Sequence, residues 1–205
     1  MDQRGSTGES ILHLCVQNST IYNYLLVKRL LYHFPKMVND IYISEEFYGE
    51  SALHIAIINE NPQMVMLLLK NGADVHQRAS GRFFSPDDQR AERIDNLFSE
   101  FASLPSETNY NGYFYYGEYP LSWAVVLNQV ECVRLLIAYG ANVNKKDSNG
   151  NTASHMPVIS NNLVFIGKNL NFLLDVLPSL FTIPLKFVIF QDISMNFHEI
   201  SYWKV

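Results

Sequence analysis

The stretch GESALHIAIINENPQMVMLLLKNGADVH, Gly49 to His76, is written almost a second time as GEYPLSWAVVLNQVECVRLLIAYGANVN, Gly117 to Asn144. Superposing the copies places Gly49 on Gly117, Leu53 on Leu121, Ala56 on Ala124, Val65 on Val133, Leu68 on Leu136 and Gly72 on Gly140. Leu53, Ala56 and Ile57 step by three and four residues, and so do Val65, Leu68 and Leu69, which is the period of amphipathic helices. NENPQ between them supplies a turn, with Pro62 suited to the first position of a second helix. Gly72 and Gly140 stand where a left-handed residue closes that helix, a conformation open to glycine because it has no Cβ. Each copy therefore predicts a helix, a turn and a helix, left by an extended segment, ADVH or ANVN.

The pattern extends in both directions. GESILHLC, Gly8 to Cys15, opens an earlier unit whose second helix is expected in VKRLLYHF, Val27 to Phe34. GNTASHMP, Gly150 to Pro157, opens a later one. His13, His54 and His155 each stand fifth after their glycine. A metal comb is one reading of them, and a buried histidine bonding the backbone of the turn between units is the reading favoured by how solenoids stack. Cys15 fills the small-residue slot of Ala56 and Ala124, a core place and not a nucleophile's.

Totals narrow the function classes. The 205 residues are 48% hydrophobic and 17% charged, a globular composition, and the net charge of -5 argues against the positive surface that nucleic-acid binding needs. Cys15 and Cys132 are far apart, so neither a disulfide framework nor a zinc site is read from them, and a reducing, cytosolic setting is expected. MDQRGSTGES has no apolar core of the signal-peptide kind. RGSTGES, Arg4 to Ser10, lacks the lysine and the preceding strand of a phosphate loop. No nucleophile with a placed base and no metal-spaced cluster is found, so neither an enzyme nor a bound cofactor is expected.

The opening GxTPLHxA-like motif and the spacing of about 33 residues from Gly117 to Gly150 resemble the ankyrin repeat, a β-turn followed by two antiparallel helices. The expected fold is an all-α ankyrin-repeat solenoid. Residues 1–7 form a flexible N-terminus. Units lie near 8–40, 49–76 and 117–149, with a degenerate unit at 150–157 in which Ser154 replaces leucine and Pro157 interrupts the first helix. The array is broken by an insertion at 77–116 carrying Phe83, Phe84, Tyr113, Phe114, Tyr115 and Tyr116, more aromatic side chains than a solvated linker holds. Such a loop reads as a contact surface, the alternative being that its rings fold back on their own repeats.

GRFFSPDDQR at Gly81 to Arg90, NYNGYFYYGEYPLSWA at Asn109 to Ala124 and DSNGNT at Asp147 to Thr152 resemble the cytosolic ankyrin domain of vanilloid-type transient receptor potential channels, and within them the invertebrate sensory subgroup that includes the channel called Inactive. The resemblance covers about residues 8–156. It implies a parent with six ankyrin repeats, six membrane spans and four subunits around a calcium-permeable pore, located on the cytoplasmic side of the plasma membrane. It also implies that Phe83, Phe84, Tyr113, Phe114, Tyr115 and Tyr116 touch neighbouring subunits, and that regulators such as calmodulin are among the partners. Some relatives hold ATP with lysines in the first repeat and an arginine in the second. Glu9, Leu14 and Asn59 occupy those positions here, so ATP binding does not carry over.

The tail at 158–205 is apolar and follows no repeat register, and Lys168, Asp175, Lys186, Pro178 and Pro184 interrupt any membrane span. It reads either as the product of an alternative or misjoined exon, leaving a truncated channel fragment, or as a cap over the last repeat. A free-standing ankyrin adaptor is the rival to the channel reading.

Overall fold

Ser51 ends an extended segment and begins ALHIAII, a run whose residues from Ala52 to Ile57 are all buried. A helix apolar on every side has to be covered on every side, so this one sits inside a stack. The computed structural model describes residues 3–81 and 116–156. Among them are six α-helices: α1 (Ile11–Gln17), α2 (Ile21–His33), α3 (Ala52–Ile58), α4 (Pro62–Lys70), α5 (Pro120–Val126) and α6 (Val130–Ala138). A 3-10 turn follows α2 at Pro35–Asn39. The helices pair as α1 with α2, α3 with α4 and α5 with α6, and the first members stack as α1 on α3 on α5, with α4 on α6 behind them. This is the all-α helix-turn-helix solenoid that the repeat predicts.

The core is one continuous cluster along the stack. Leu12 and Val16 from α1, Leu53 and Ile57 from α3, and Leu121 and Val125 from α5 are almost wholly buried, backed by Val27, Leu31, Met64, Leu68, Val133 and Leu136 from the second helices. Pro62 stands at the first position of α4 as expected, and Asn61 caps that helix by accepting from Met64 N at 3.0 Å. The second helix of the first unit begins at Ile21, six residues before the expected Val27, because Thr20 accepts from Asn23 N at 3.2 Å and starts it there. Its early turns were hidden from periodicity because Ile21, Tyr22, Leu25 and Leu26 are apolar and exposed.

In the second and third units the turn between paired helices depends on a left-handed residue that is not glycine: Glu60 has φ 49° and Asn128 has φ 60°. Both occupy the same place in the repeat, and the next residue bonds back to the first helix, Asn61 N to Ala56 O at 3.1 Å and Gln129 N to Ala124 O at 2.9 Å. Units are joined by hairpin fingers. The first runs from Ile41 to Ser51, an antiparallel bridge closed by Tyr42 N to Glu50 O at 2.8 Å and Gly49 N to Tyr42 O at 3.1 Å. Gly49 has φ +83°, and a Cβ there would lie 2.0 Å from the Arg78 carbonyl oxygen. Gly72 has φ +87° but open space around it.

These two glycines separate strain from crowding. Gly49→Ala should destabilise the fold by about 2–4 kcal/mol, conformation and clash together. Gly72→Ala should cost only about 1 kcal/mol from conformation alone. Urea unfolding of the two variants measures the difference, and equal losses would mean that the Arg78 carbonyl gives way.

Candidate functional site

Three features on the finger side of the stack could carry function: the histidine boxes, the root of the inserted loop, and a cleft between the first two units. In the first unit Ser10 N donates to His13 Nδ1 at 2.9 Å, and the His13 Nε2 lies 3.1 Å from the Asp40 carbonyl. Because Nδ1 accepts, the proton sits on Nε2, which donates to that carbonyl, so the ring is neutral and ties α1 to the following finger. Ser51 N donates to His54 Nδ1 at 3.2 Å in the same manner, and the His54 ring meets Trp123 edge-on at 4.6 Å. Burial pushes His13 down to about 4 and His54 down to about 3 from an ordinary value of 6.5. Both are structural: His13 takes the inter-unit backbone-bonding role favoured by the sequence, whereas His54 bonds its own helix start and its Nε2 is buried without a hydrogen-bond partner among the described residues.

His155 departs from that expectation. Its Nδ1 accepts from Thr152 N at 3.2 Å, but the residue is exposed. The third unit has Ser122 where the others have histidine, and the neighbouring Trp123 makes a bond of a different kind, its indole N–H donating to Gly117 O at 2.9 Å. Among the described residues no group of three or more metal-ligating side chains gathers. Cys15 and Cys132 are buried with their thiol pKa values raised by burial, Cys132 to about 11.

The root of the insertion is built from both of its ends. The finger between the third and fourth units is a tight hairpin, with Asp147 N to Asn151 O at 2.8 Å and Gly150 N to Asp147 O at 3.0 Å. Ser80 is the register equivalent of Ser148, so the chain departs from the corresponding fingertip, at Gly81, and returns at Tyr116. Ala79 N donates to Glu118 O at 2.8 Å, and Ser80 N and Gly81 N donate to Tyr48 O at 2.8 and 3.0 Å. Arg78 Nε lies 2.5 Å from Glu118 Oε2, and the wholly buried Glu118 carboxylate also accepts from Ser148 N at 3.1 Å and from the Ser148 hydroxyl. Phe83, Phe84, Tyr113, Phe114 and Tyr115 lie outside the described residues. Tyr116 is partly buried, with its ring 5.7 Å from Trp123, so it packs on its own repeat.

On the concave side a cavity of about 350 Å³ opens between the units, lined among others by Gln17, Tyr42, Phe47, Glu50, Ile55 and Asn59. Asn59 Nδ2 is occupied, donating to Val16 O at 3.2 Å and Gln17 O at 3.0 Å. Glu9 is bonded to Thr7 through its backbone N–H, and Leu14 is exposed. Among the described residues none of the lining side chains is a lysine or arginine and one is a carboxylate, the reverse of what a polyphosphate requires. The Glu50 carboxyl is 7% exposed and is pushed up to about 8 by burial.

Comparison with known proteins adds the following. Residues 1–79 and 92–174 match the family model for ankyrin repeats, in three copies, so the match continues past residue 157 into a stretch in which the repeat register is not recognisable by eye. The rat transient receptor potential cation channel subfamily V member 5 is 35% identical over 188 residues, 89% of this chain and 22% of the relative. Subfamily V member 1 from dog and member 4 from human are each 34% identical over 142 residues, 68% of this chain and 14% of the relative. The chain thus spans less than a quarter of the length of these curated relatives.

The titrating groups predict a stability profile with two flanks. The histidine pKa values are depressed in the fold, so their contribution is complete above 6.5 and is lost as pH falls towards 3–4. Each buried ring should withdraw up to about 3 kcal/mol by pH 4. Glu50 is raised from 4.5 to about 8, so its contribution is complete below 4.5 and is lost as pH climbs through 8. Thermal melts from pH 4 to 9 should show a maximum between the flanks, and Glu50→Gln should raise Tm at pH 8 while leaving the acid flank in place. Arg78→Ala, which strands the buried Glu118 carboxylate, should cost about 2–4 kcal/mol by urea unfolding, and a loss below about 1 kcal/mol would mean that Ser148 alone suffices.

Proposed function

We propose, since the chain belongs to the ankyrin-repeat family in the form shared with subfamily V transient receptor potential channels, that it is the cytosolic ankyrin-repeat portion of a calcium-permeable cation-channel subunit. The identity of 34–35% over 68–89% of the chain carries this reading. The described helices supply a scaffold for protein contact and no pore, and no helix among the described residues is long and apolar enough to cross a membrane. Assembly with other subunits and binding of regulators such as calmodulin are the roles that suit a rigid stack of this kind. Its place is then the cytoplasmic side of the plasma membrane.

Specificity is assigned to the inserted loop. Its root is fixed by the Arg78–Glu118 pair and by Ala79 bonded to Glu118, so the solenoid presents both ends at one fingertip. A loop closed at its base loses less freedom on meeting a partner than one whose ends are free. Phe83, Phe84, Tyr113, Phe114 and Tyr115 are proposed as the inter-subunit contacts. Tyr116 differs from them in supporting the root, as its packing against Trp123 suggests. Membership of the invertebrate Inactive-like subgroup is part of the same proposal and rests on GRFFSPDDQR and NYNGYFYYGEYPLSWA.

Capture of a full-length subfamily V subunit from detergent-solubilised membranes provides the test, using the intact chain and a chain with residues 82–115 replaced by a short Gly-Ser link. The intact chain should retain the subunit and the shortened one should lose at least about nine-tenths of it, with thermal melts showing both folded. Equal capture would place the contact on the helices, and no capture by either would favour a free-standing adaptor.

A further inference from the structure

The second residue of each of the first three opening motifs is a glutamate, and the three carboxylates meet different fates. Glu9 accepts from Thr7 N at 2.9 Å and from the Thr7 hydroxyl at 2.6 Å. Glu118 is saturated by Arg78 and Ser148. Glu50 is more than nine-tenths buried, makes no side-chain hydrogen bond or ion pair among the described residues, and lines the concave cleft. An acid buried without a partner is costly to keep, unlike its two bonded equivalents Glu9 and Glu118, unless something enters to meet it.

The rest of the lining indicates what would enter. Tyr42 and Phe47 stand beside the acid with ring centroids 5.9 Å apart, and Ile55 supplies apolar wall. Aromatic faces and a carboxylate together are the equipment for an organic cation: the acid accepts the ammonium hydrogens and the rings cover the body. The volume of about 350 Å³ falls within the range of small-molecule sites. The charges around the cleft agree. Burial first, and then the charges of Glu50 and Glu9, raise the Tyr42 pKa to about 12. The nearby cation, Arg4, is engaged by the Ile41 carbonyl at 3.0 Å and by Asp40. The side chains from α1 and α3 that line the cleft, Gln17, Ile55 and Ile58, and Asn59 just after α3, are neutral.

We propose that the cleft between the first two units is a binding site for a small organic ammonium with an apolar body, held by Glu50 against the packed rings of Tyr42 and Phe47. This inference stands on the cleft alone and is independent of the channel reading. When empty at neutral pH the acid is largely protonated. On binding, the O–H bond of the Glu50 carboxyl breaks, its proton passes to solvent, and the carboxylate accepts from the ammonium, so up to one proton is released per ligand.

The probe is phenethylamine, with 2-phenylethanol as its neutral match, titrated into the isotope-labelled full chain and followed by amide NMR. The amine should give saturable shifts at Tyr42, Phe47, Glu50 and Asn59 and bind at least about tenfold more tightly than the alcohol, the size of a hydrogen bond to a charged group. Glu50→Gln should abolish that preference while still melting cooperatively. Calorimetry of the unmutated chain in two buffers of different ionisation enthalpy should show proton release, a readout that does not depend on the variant folding. Equal affinity for amine and alcohol, shifts away from the cleft, no saturation, or a preference that survives Glu50→Gln would each overturn the site.

Discussion

A helix of seven residues does not hold together alone in water, and three such helices, α1, α3 and α5, form the spine of this protein. They exist because each is covered by its neighbours. α3 has no solvent-facing stripe over six successive residues, so its stability belongs to the stack and not to its own sequence. That constraint explains the polar chemistry at the helix starts. A helix wedged between two others cannot send its first N–H groups to water, so Ser10 N and Ser51 N bond to the imidazoles of His13 and His54. The same imidazole reaches the next finger in the first unit, so one side chain both starts a helix and fixes the spacing to its neighbour.

Much of this arrangement was legible because it recurs. Gly49 and Gly117, Leu53 and Leu121, and Val65 and Val133 are equivalent by inspection, and equivalence in a solenoid means equivalent packing. What stayed hidden was whatever occurs once or spans a long gap. Glu60 and Asn128 take a left-handed conformation for which glycine would be the visible marker, and neither is glycine. Trp123, next to the position where the other units have histidine, bonds the Gly117 carbonyl instead, a contact that no alignment column displays. Arg78 and Glu118 are separated by the whole insertion, so nothing local announces that they pair.

The candidate sites divide in the same way. Aromatic crowding marked the inserted loop, and for Tyr116 the geometry leads inward to Trp123 and not outward to a partner. The concave cleft had no signal of its own, since Glu50 is indistinguishable in sequence from Glu9 and Glu118 and differs from them only in lacking a partner. Periodicity reports what every unit shares. A binding site is a departure from it, and departures become visible when equivalent side chains are compared contact by contact.

The fingertip from which residues 82–115 depart has a further consequence. Hydrogen bonds and an ion pair join the chain just before Gly81 to the chain just after Tyr116, so the length of what lies between does not enter the geometry of the stack. Loop-closure entropy grows only with the logarithm of length, which makes additions at such a junction inexpensive in stability. The fingertip is therefore a natural port. Lineages could exchange entire segments there without disturbing the register of the units on either side, and a compact fluorescent reporter could be seated there to follow the protein in living cells.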